Sequence, residues 1–290
     1  MTEEMDNNED FTWQQKWLAI TPKPFALLSM LGSVYIIKYV LKSTNRRSTV
    51  YHRILLGLSV SDFLNSSAIF VGSWTIPKGT PGVYLANGTT TTCTIQGFFI
   101  QMGVGTPLYN ASLALYYVLV VLYGWKEHEL KTIEPALHLF PTLFCIVTAL
   151  IVAVDDSYRN SNLWCWTTPE KPAFRFGFYY GPVWASAIAL TVSMAAIYVH
   201  VMAQEIKTAQ HRPSRQYART NTVTAQQHLS RSRSARTRSS RKIAAQALFY
   251  VGSFYLTFLF PSWTRASQMI NGSSPFIITS LMAVFFPLQG

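Results

Sequence analysis

One carboxylate, Asp62, sits deep in an apolar run, in the setting Leu58-Ser-Val-Ser-Asp62-Phe-Leu. An ionised group inside hydrocarbon costs a few kcal/mol unless it faces other protein and is paired or hydrated. Two roles are open to it: a hydrogen-bonded structural carboxyl, or a switch linked to water, an ion or a proton. Ser59, Ser61 and Asn65 lie within one helical turn and stand within reach as partners. The remaining reactive side chains are thiols. Cys93 and Cys165 flank apolar runs, the second within Leu-Trp164-Cys165-Trp166, whereas Cys145 lies inside one. Three cysteines are too few for a disulfide-stapled scaffold.

Catalytic signatures are missing from the sequence. It has no paired His/Glu zinc motif, no glycine-rich phosphate loop and no Ser/His/Asp set that the runs would bring together. A non-enzyme without cofactor or metal is therefore expected. The apolar runs also lack the several buried charges or paired broken helices with which ion-coupled transporters bind substrate. No lysine between Arg265 and Gly290 offers a Schiff base to retinal.

The elements that must position Asp62 and the thiols are membrane spans. Of 290 residues, 49% are hydrophobic and only 13% charged, with the charges gathered between apolar runs. Those runs have the length needed to cross roughly 30 Å of hydrocarbon. Spans are expected at about 22–42, 50–76, 94–125, 135–154, 174–204, 243–264 and 274–290. The expected fold is an all-α membrane protein: a seven-transmembrane helix bundle, 22–290, behind an acidic N-terminal segment, 1–21. Glu3, Glu4, Asp6, Glu9 and Asp10 exclude a secretory signal, so the first span is expected to serve as its own insertion signal. The chain stops at Pro287-Leu-Gln-Gly290 as the seventh span ends, and a truncated C-terminus is one reading of that.

Basic residues orient the bundle. Lys42, Arg46, Arg47 and Arg53 cluster in the first connection, and ten Lys or Arg with no acid lie between Lys207 and Lys242. By the positive-inside rule both connections are cytosolic, which puts the N-terminus outside and the C-terminus inside. The net charge of +11 thus belongs mostly to one loop and not to a nucleic-acid surface. That loop, 208–241, is too poor in large apolar residues to fold alone and is expected to be disordered. Arg46, Arg47, Arg231, Arg233, Arg236, Arg238, Arg241 and Lys242 are its and the first loop's expected contacts with anionic lipids or a cytosolic protein. Sequons at Asn87 and Asn271 fall in loops assigned to the outside and are glycosylation candidates. Cys93 and Cys165 would both face that oxidising side, so a disulfide is expected between them. Trp164 and Trp166 then stand at the mouth of the bundle with Arg175, as ligand contacts or as interfacial anchors. Pro182, Pro261 and Pro287 are hinge candidates, because each removes a helical hydrogen bond.

Seven spans, an outer N-terminus and Cys93 and Cys165 at these places resemble a G-protein-coupled receptor. Finer features look like the cyclic-AMP-receptor-like and secretin-like (family 2-type) protist receptors: Trp164-Cys-Trp166, Arg175-Phe-Gly-Phe-Tyr-Tyr-Gly-Pro182-Val-Trp184 and Pro287-Leu-Gln-Gly290. At the inner end of the third span the chain reads Leu122-Tyr-Gly-Trp-Lys-Glu127, departing from the rhodopsin-like Asp-Arg-Tyr, whereas Asp62 resembles the rhodopsin-like second helix. The resemblance implies a multi-pass protein, most simply of the plasma membrane, in which an unknown extracellular ligand shifts the bundle toward a form that binds a heterotrimeric G protein. A seven-helix transporter or channel, or a non-signalling scaffold, are the alternatives.

Overall fold

The computed structural model describes residues 11–210, 249 and 251–289. The acidic start, the loop 208–241 beyond Gln210, its basic residues Arg231 to Lys242 and the opening of the span expected at 243–264 lie outside the described residues.

Helix α1 (Trp13–Ile20) starts where Thr12 and Gln15 cap each other, each side chain accepting the other's backbone N–H. It leads into α2 (Pro22–Leu41), whose prolines sit in the first turn, where no N–H is needed. After a short helix α3 (Thr44–Arg47), α4 (Val50–Val71) returns across the bundle. Small residues let α2 and α4 approach: Ala26, Ser29 and Ser33 are buried, and the Ser66 hydroxyl donates to Ser29 at 3.0 Å. The last carbonyls of α4 are served by a lysine, as Lys23 Nζ donates to Phe70 and Val71 O at 3.1 and 2.9 Å and lies over the Trp74 ring.

The third span is broken. Helix α5 (Thr90–Met102) and helix α6 (Gly105–Val121) meet at Gly103-Val104, where i→i+3 bonds replace the α pattern ahead of Pro107. A side chain at 103 would collide with Asn65, so glycine lets α4 and the break touch. Helix α7 (Glu127–Val154) begins eight residues before the span expected at 135, since its first turn is polar. It turns Leu139, Phe140, Leu143, Val147 and Leu150 outward, a belt suited to hydrocarbon and costly in water.

The fold is not wholly helical. Between α7 and the next helix, β1 (Tyr158–Asn160) and β2 (Cys165–Thr167) pair antiparallel in a hairpin that packs on α5. Helix α8 (Pro172–Arg175), a π turn at Phe176–Tyr180 and α9 (Gly181–Gln210) then run on as one rod, with α9 against α6. Helix α10, described over 251–271, ends later than the span expected at 243–264. The polar stretch from Arg265 was read as a loop, yet the helix runs on through Asn271 and stops at Gly272, whose positive φ ends it. Helix α11 (Phe276–Phe285) also ends early: Pro287 has no N–H for another helical bond, and Leu288 closes a tighter turn onto Phe285 O.

Among the described residues, five helical runs are long and apolar enough to cross a membrane: Trp13–Leu41, Val50–Thr75, Thr90–Val121, Glu127–Val154 and Pro172–Gln204. Helix α11 is apolar but shorter.

Candidate functional site

The hairpin drops its aromatic residues into the bundle instead of lying over it. Cys165 is bonded to Cys93 in a disulfide with Cα atoms 5.2 Å apart, which ties β2 to the head of α5. Gln96, one turn further along α5, fixes the same strand. Its Oε1 accepts from Cys165 N–H at 2.8 Å and from the Thr75 hydroxyl, and its Nε2 donates to Ala68 and Gly72 O at 2.9 and 2.7 Å. Gln101 holds the next residue, taking the Trp166 indole N–H at 3.0 Å and donating to Phe178 O at 3.1 Å. Pro182, four residues on, brings no N–H of its own to that carbonyl. Trp164 and Trp166 are therefore buried, at 2% and 3% exposure, and neither anchors at a lipid interface.

Two arginines converge on Trp166. Arg175 and Arg265 are buried, each guanidinium within 5.3 Å of the ring centroid. Arg175 donates from Nε and Nη2 to Thr167 O, and from Nη2 to Ser161 Oγ at 3.2 Å. Arg265 donates from Nη1 to Gln268 Oε1 at 2.8 Å and Ser161 O at 3.3 Å. Tyr179 and Tyr180 set their rings edge-on to the same indole. A small cavity of about 10 Å³ lies among Trp164, Trp166, Tyr179, Arg265, Met282 and Phe286.

Deeper in, Asp62 faces the bundle interior, where the Thr106 hydroxyl donates to its carboxylate at 2.7 Å. With Ser59 it lines a cavity of about 150 Å³ closed by Phe254, Thr257, Phe258, Leu288 and Gln289. Asn65 is one turn away and donates to Gln289 Oε1 at 3.1 Å, so α4 is pinned to the turn after α11. Ring contacts run from the hairpin to this cavity. Trp164 stacks on Phe286 at 5.5 Å, Phe286 meets Phe258 at 6.3 Å, and Phe258 meets Phe254 at 4.8 Å.

The three prolines differ. Pro182 follows the π turn, and Pro261 lies inside α10 where Tyr180 donates to its carbonyl and Trp184 to Ser262. Pro287 is outside α11, in the turn that carries Gln289.

At the end away from the disulfide, Arg53 on α4 forks onto Glu134 of α7, with Nη2 2.6 Å from Oε2. Glu127 accepts the first N–H of α4 at 2.7 Å. Arg46 and Arg47 stay on α3, Arg46 stacked on Tyr39 and Arg47 bonded to Thr44. Asn87 and Asn271 are both exposed, Asn87 in the loop before α5 and Asn271 as the last residue of α10. Trp13 packs on Phe276 and Phe11 on Tyr84, so these two asparagines share the disulfide end.

Reading the sequence missed Gln96, Gln101, Thr106, Tyr179 and the burial of Arg265. Polar residues inside apolar runs are expensive and functional by default, and that signal picks out both glutamines.

Residues 12–208 match a family described as a G protein-coupled glucose receptor regulating Gpa2, Git3. Two curated proteins of Arthrobotrys oligospora are similar: "Ascaroside receptor GPR3", 29% identical over 196 residues, 64% of this chain and 46% of that protein, and "Ascaroside receptor GPR2", 25% identical over 179 residues, 61% and 43%. The chain spans under half the length of these relatives. The receptor class of the earlier resemblance stands, while the subclass is corrected, since the matched family is Git3 and not the cyclic-AMP-receptor-like or secretin-like group. With more than half of its residues inside the match, the chain belongs to the Git3 family of G protein-coupled receptors.

Proposed function

We propose that the chain is a seven-helix receptor of the plasma membrane, N-terminus outside, that couples an extracellular ligand to a cytosolic heterotrimeric G protein. The observation that carries this reading is the unbroken ring contact from the hairpin through Trp164, Phe286 and Phe258 to the cavity beside Asp62. A ligand that prefers one arrangement of the hairpin thereby biases the packing of α10 and α11. Pro182 and Pro261 are the hinges of that change, and Asp62 with Ser59 and Asn65 its intramembrane switch. The disulfide holds the ligand end together while the other end moves.

On the cytosolic side, Arg46, Arg47 and the basic residues from Arg231 to Lys242 contact the G protein or anionic lipid head groups. Asn87 and Asn271 are glycosylated outside. Glucose and ascarosides, after which the family and its relatives are named, make the first panel to test.

The test is guanine-nucleotide exchange on a panel of G proteins in membranes with and without the chain. Exchange that depends on the chain supports the reading. None, with surface topology verified by protease protection, refutes it and favours a transporter or scaffold.

A further inference from the structure

Arg175 and Arg265 are two cations buried against one indole, and among the described residues neither lies within ion-pair distance of a carboxylate. Glu170, exposed in the loop ahead of α8, acts on Arg175 only from longer range. A guanidinium is costly to take out of water, and two of the same sign repel more strongly where water is excluded. Backbone carbonyls, Ser161, Gln268 and, for Arg265, the Tyr180 hydroxyl meet part of the need. Among the described residues they leave Arg175 Nη1 with no acceptor, although the side chain is 1% exposed. The hydroxyl of Tyr179, buried four residues further along the same rod against the same indole, also has no partner. Idle donors on a buried cation call for an acceptor that carries negative charge.

We infer that this pocket beside Trp166 binds the carboxylate of an organic acid, so that the receptor's ligand is an anion and not a neutral sugar. The inference rests on the receptor reading above and deepens it. The carboxylate accepts from the Tyr179 hydroxyl, which lines the cavity together with Arg265, and from Arg175 Nη1, which lies against the same indole beside that lining and is reached as the cavity opens. Its carbon chain runs along Trp164 and Met282. The cavity of about 10 Å³ has room for about one water and not for an organic acid, so entry requires Trp164 to leave its stack on Phe286. Binding and the first step of the change in the bundle are then one event.

The experiment uses the full chain, purified in a non-ionic detergent at fixed ionic strength. Its thermal stability is read against butyrate and hexanoate, with butyramide, hexanamide and sulfate as matched probes. The expected result is saturable stabilisation by the two carboxylates only. Arg175→Gln should weaken it about tenfold or more. Tyr179→Phe, which removes a hydroxyl bonded to nothing, should weaken it about threefold and leave the stability of the unliganded chain unchanged. Equal effects of acids and amides, an equal effect of sulfate, no effect of either acid, or full affinity in Tyr179→Phe overturns the inference. Nucleotide exchange in the same preparations separates the two readings. Carboxylate binding without exchange keeps the pocket and counts against coupling, whereas exchange evoked by glucose with no carboxylate effect keeps coupling and removes the pocket.

Discussion

Replacing Gln96 by leucine, a side chain of similar size, tests whether one glutamine holds the hairpin. Gln96 makes two bonds through Oε1 and two through Nε2, and its acceptor serves the backbone N–H of Cys165, which is fully buried. Side-chain hydrogen bonds between membrane helices are worth about 0.6 kcal/mol each, and a buried N–H left bare costs about 1–3 kcal/mol. Gln96→Leu should therefore favour opening of the hairpin by about 2–4 kcal/mol. At a factor of ten for each 1.4 kcal/mol, the open population rises about 30- to 700-fold. Opening exposes the Cys93–Cys165 bond, so the readout is its rate of reduction by a water-soluble phosphine, followed with a thiol label. Arg53→Gln is the control. It breaks a pair at the other end of the bundle, and it should leave the rate unchanged unless the whole chain loosens. A Gln96→Leu rate within twofold of the parent would refute the assignment of Gln96 as the hairpin's anchor.

Other outcomes follow from the same geometry. Cys93→Ser should abolish surface expression or ligand response, and unchanged levels of both would count against a working role for the disulfide. Asp62→Asn keeps a bond with Thr106 while removing the charge, so basal nucleotide exchange should shift; basal and stimulated exchange identical to the parent would sink the switch role. Thr106→Val strips that partner from a buried carboxylate and should cost about 1–3 kcal/mol in stability, read by thermal unfolding in detergent. Outside the spans, bonds from Ser157 and Lys171 hold the Asp155 carboxyl below the usual carboxylate range, and Arg159 does the same for Asp156. A lowered folded pKa gives a contribution complete above the unfolded value of about 3.9 and lost as pH falls further. Carbon-13 titration of both carboxyls should find midpoints below that value, and midpoints at or above it would contradict the pairs.

The five long apolar helices among the described residues were legible because runs of about twenty mostly apolar residues leave hydropathy little choice. Asp62 was legible for the converse reason, as the lone acid in such a run. The hairpin was not, since Tyr158–Asn160 and Cys165–Thr167 are too short to show alternation and owe their pairing to Gln96, Gln101 and the disulfide. Arg265 was read as loop because a charge argues against burial. Gln268 stands on the same helix, but Ser161 and the Trp166 ring, which complete the reversal of that argument, come from the hairpin, far away in sequence. The seventh helix was drawn too long because the apolar run reaches Leu288 while the backbone bonding of the helix stops at Phe286.

The π turn at Phe176–Tyr180 sets the angular phase of everything before it. Val183, Ala187 and Leu190 mark the face that α9 turns inward. Counted back from Val183 at about 100° per residue, an unbroken α-helix would carry Arg175 about 80° off that face, toward lipid. One extra residue absorbed in the wide turn brings it to within about 20°. Straightening this turn into α-helix with every residue kept would therefore do more than lengthen a rod. It would swing a guanidinium out of the bundle and into hydrocarbon, where such a charge is hardest to keep, whereas deleting one residue of the turn would leave it facing inward.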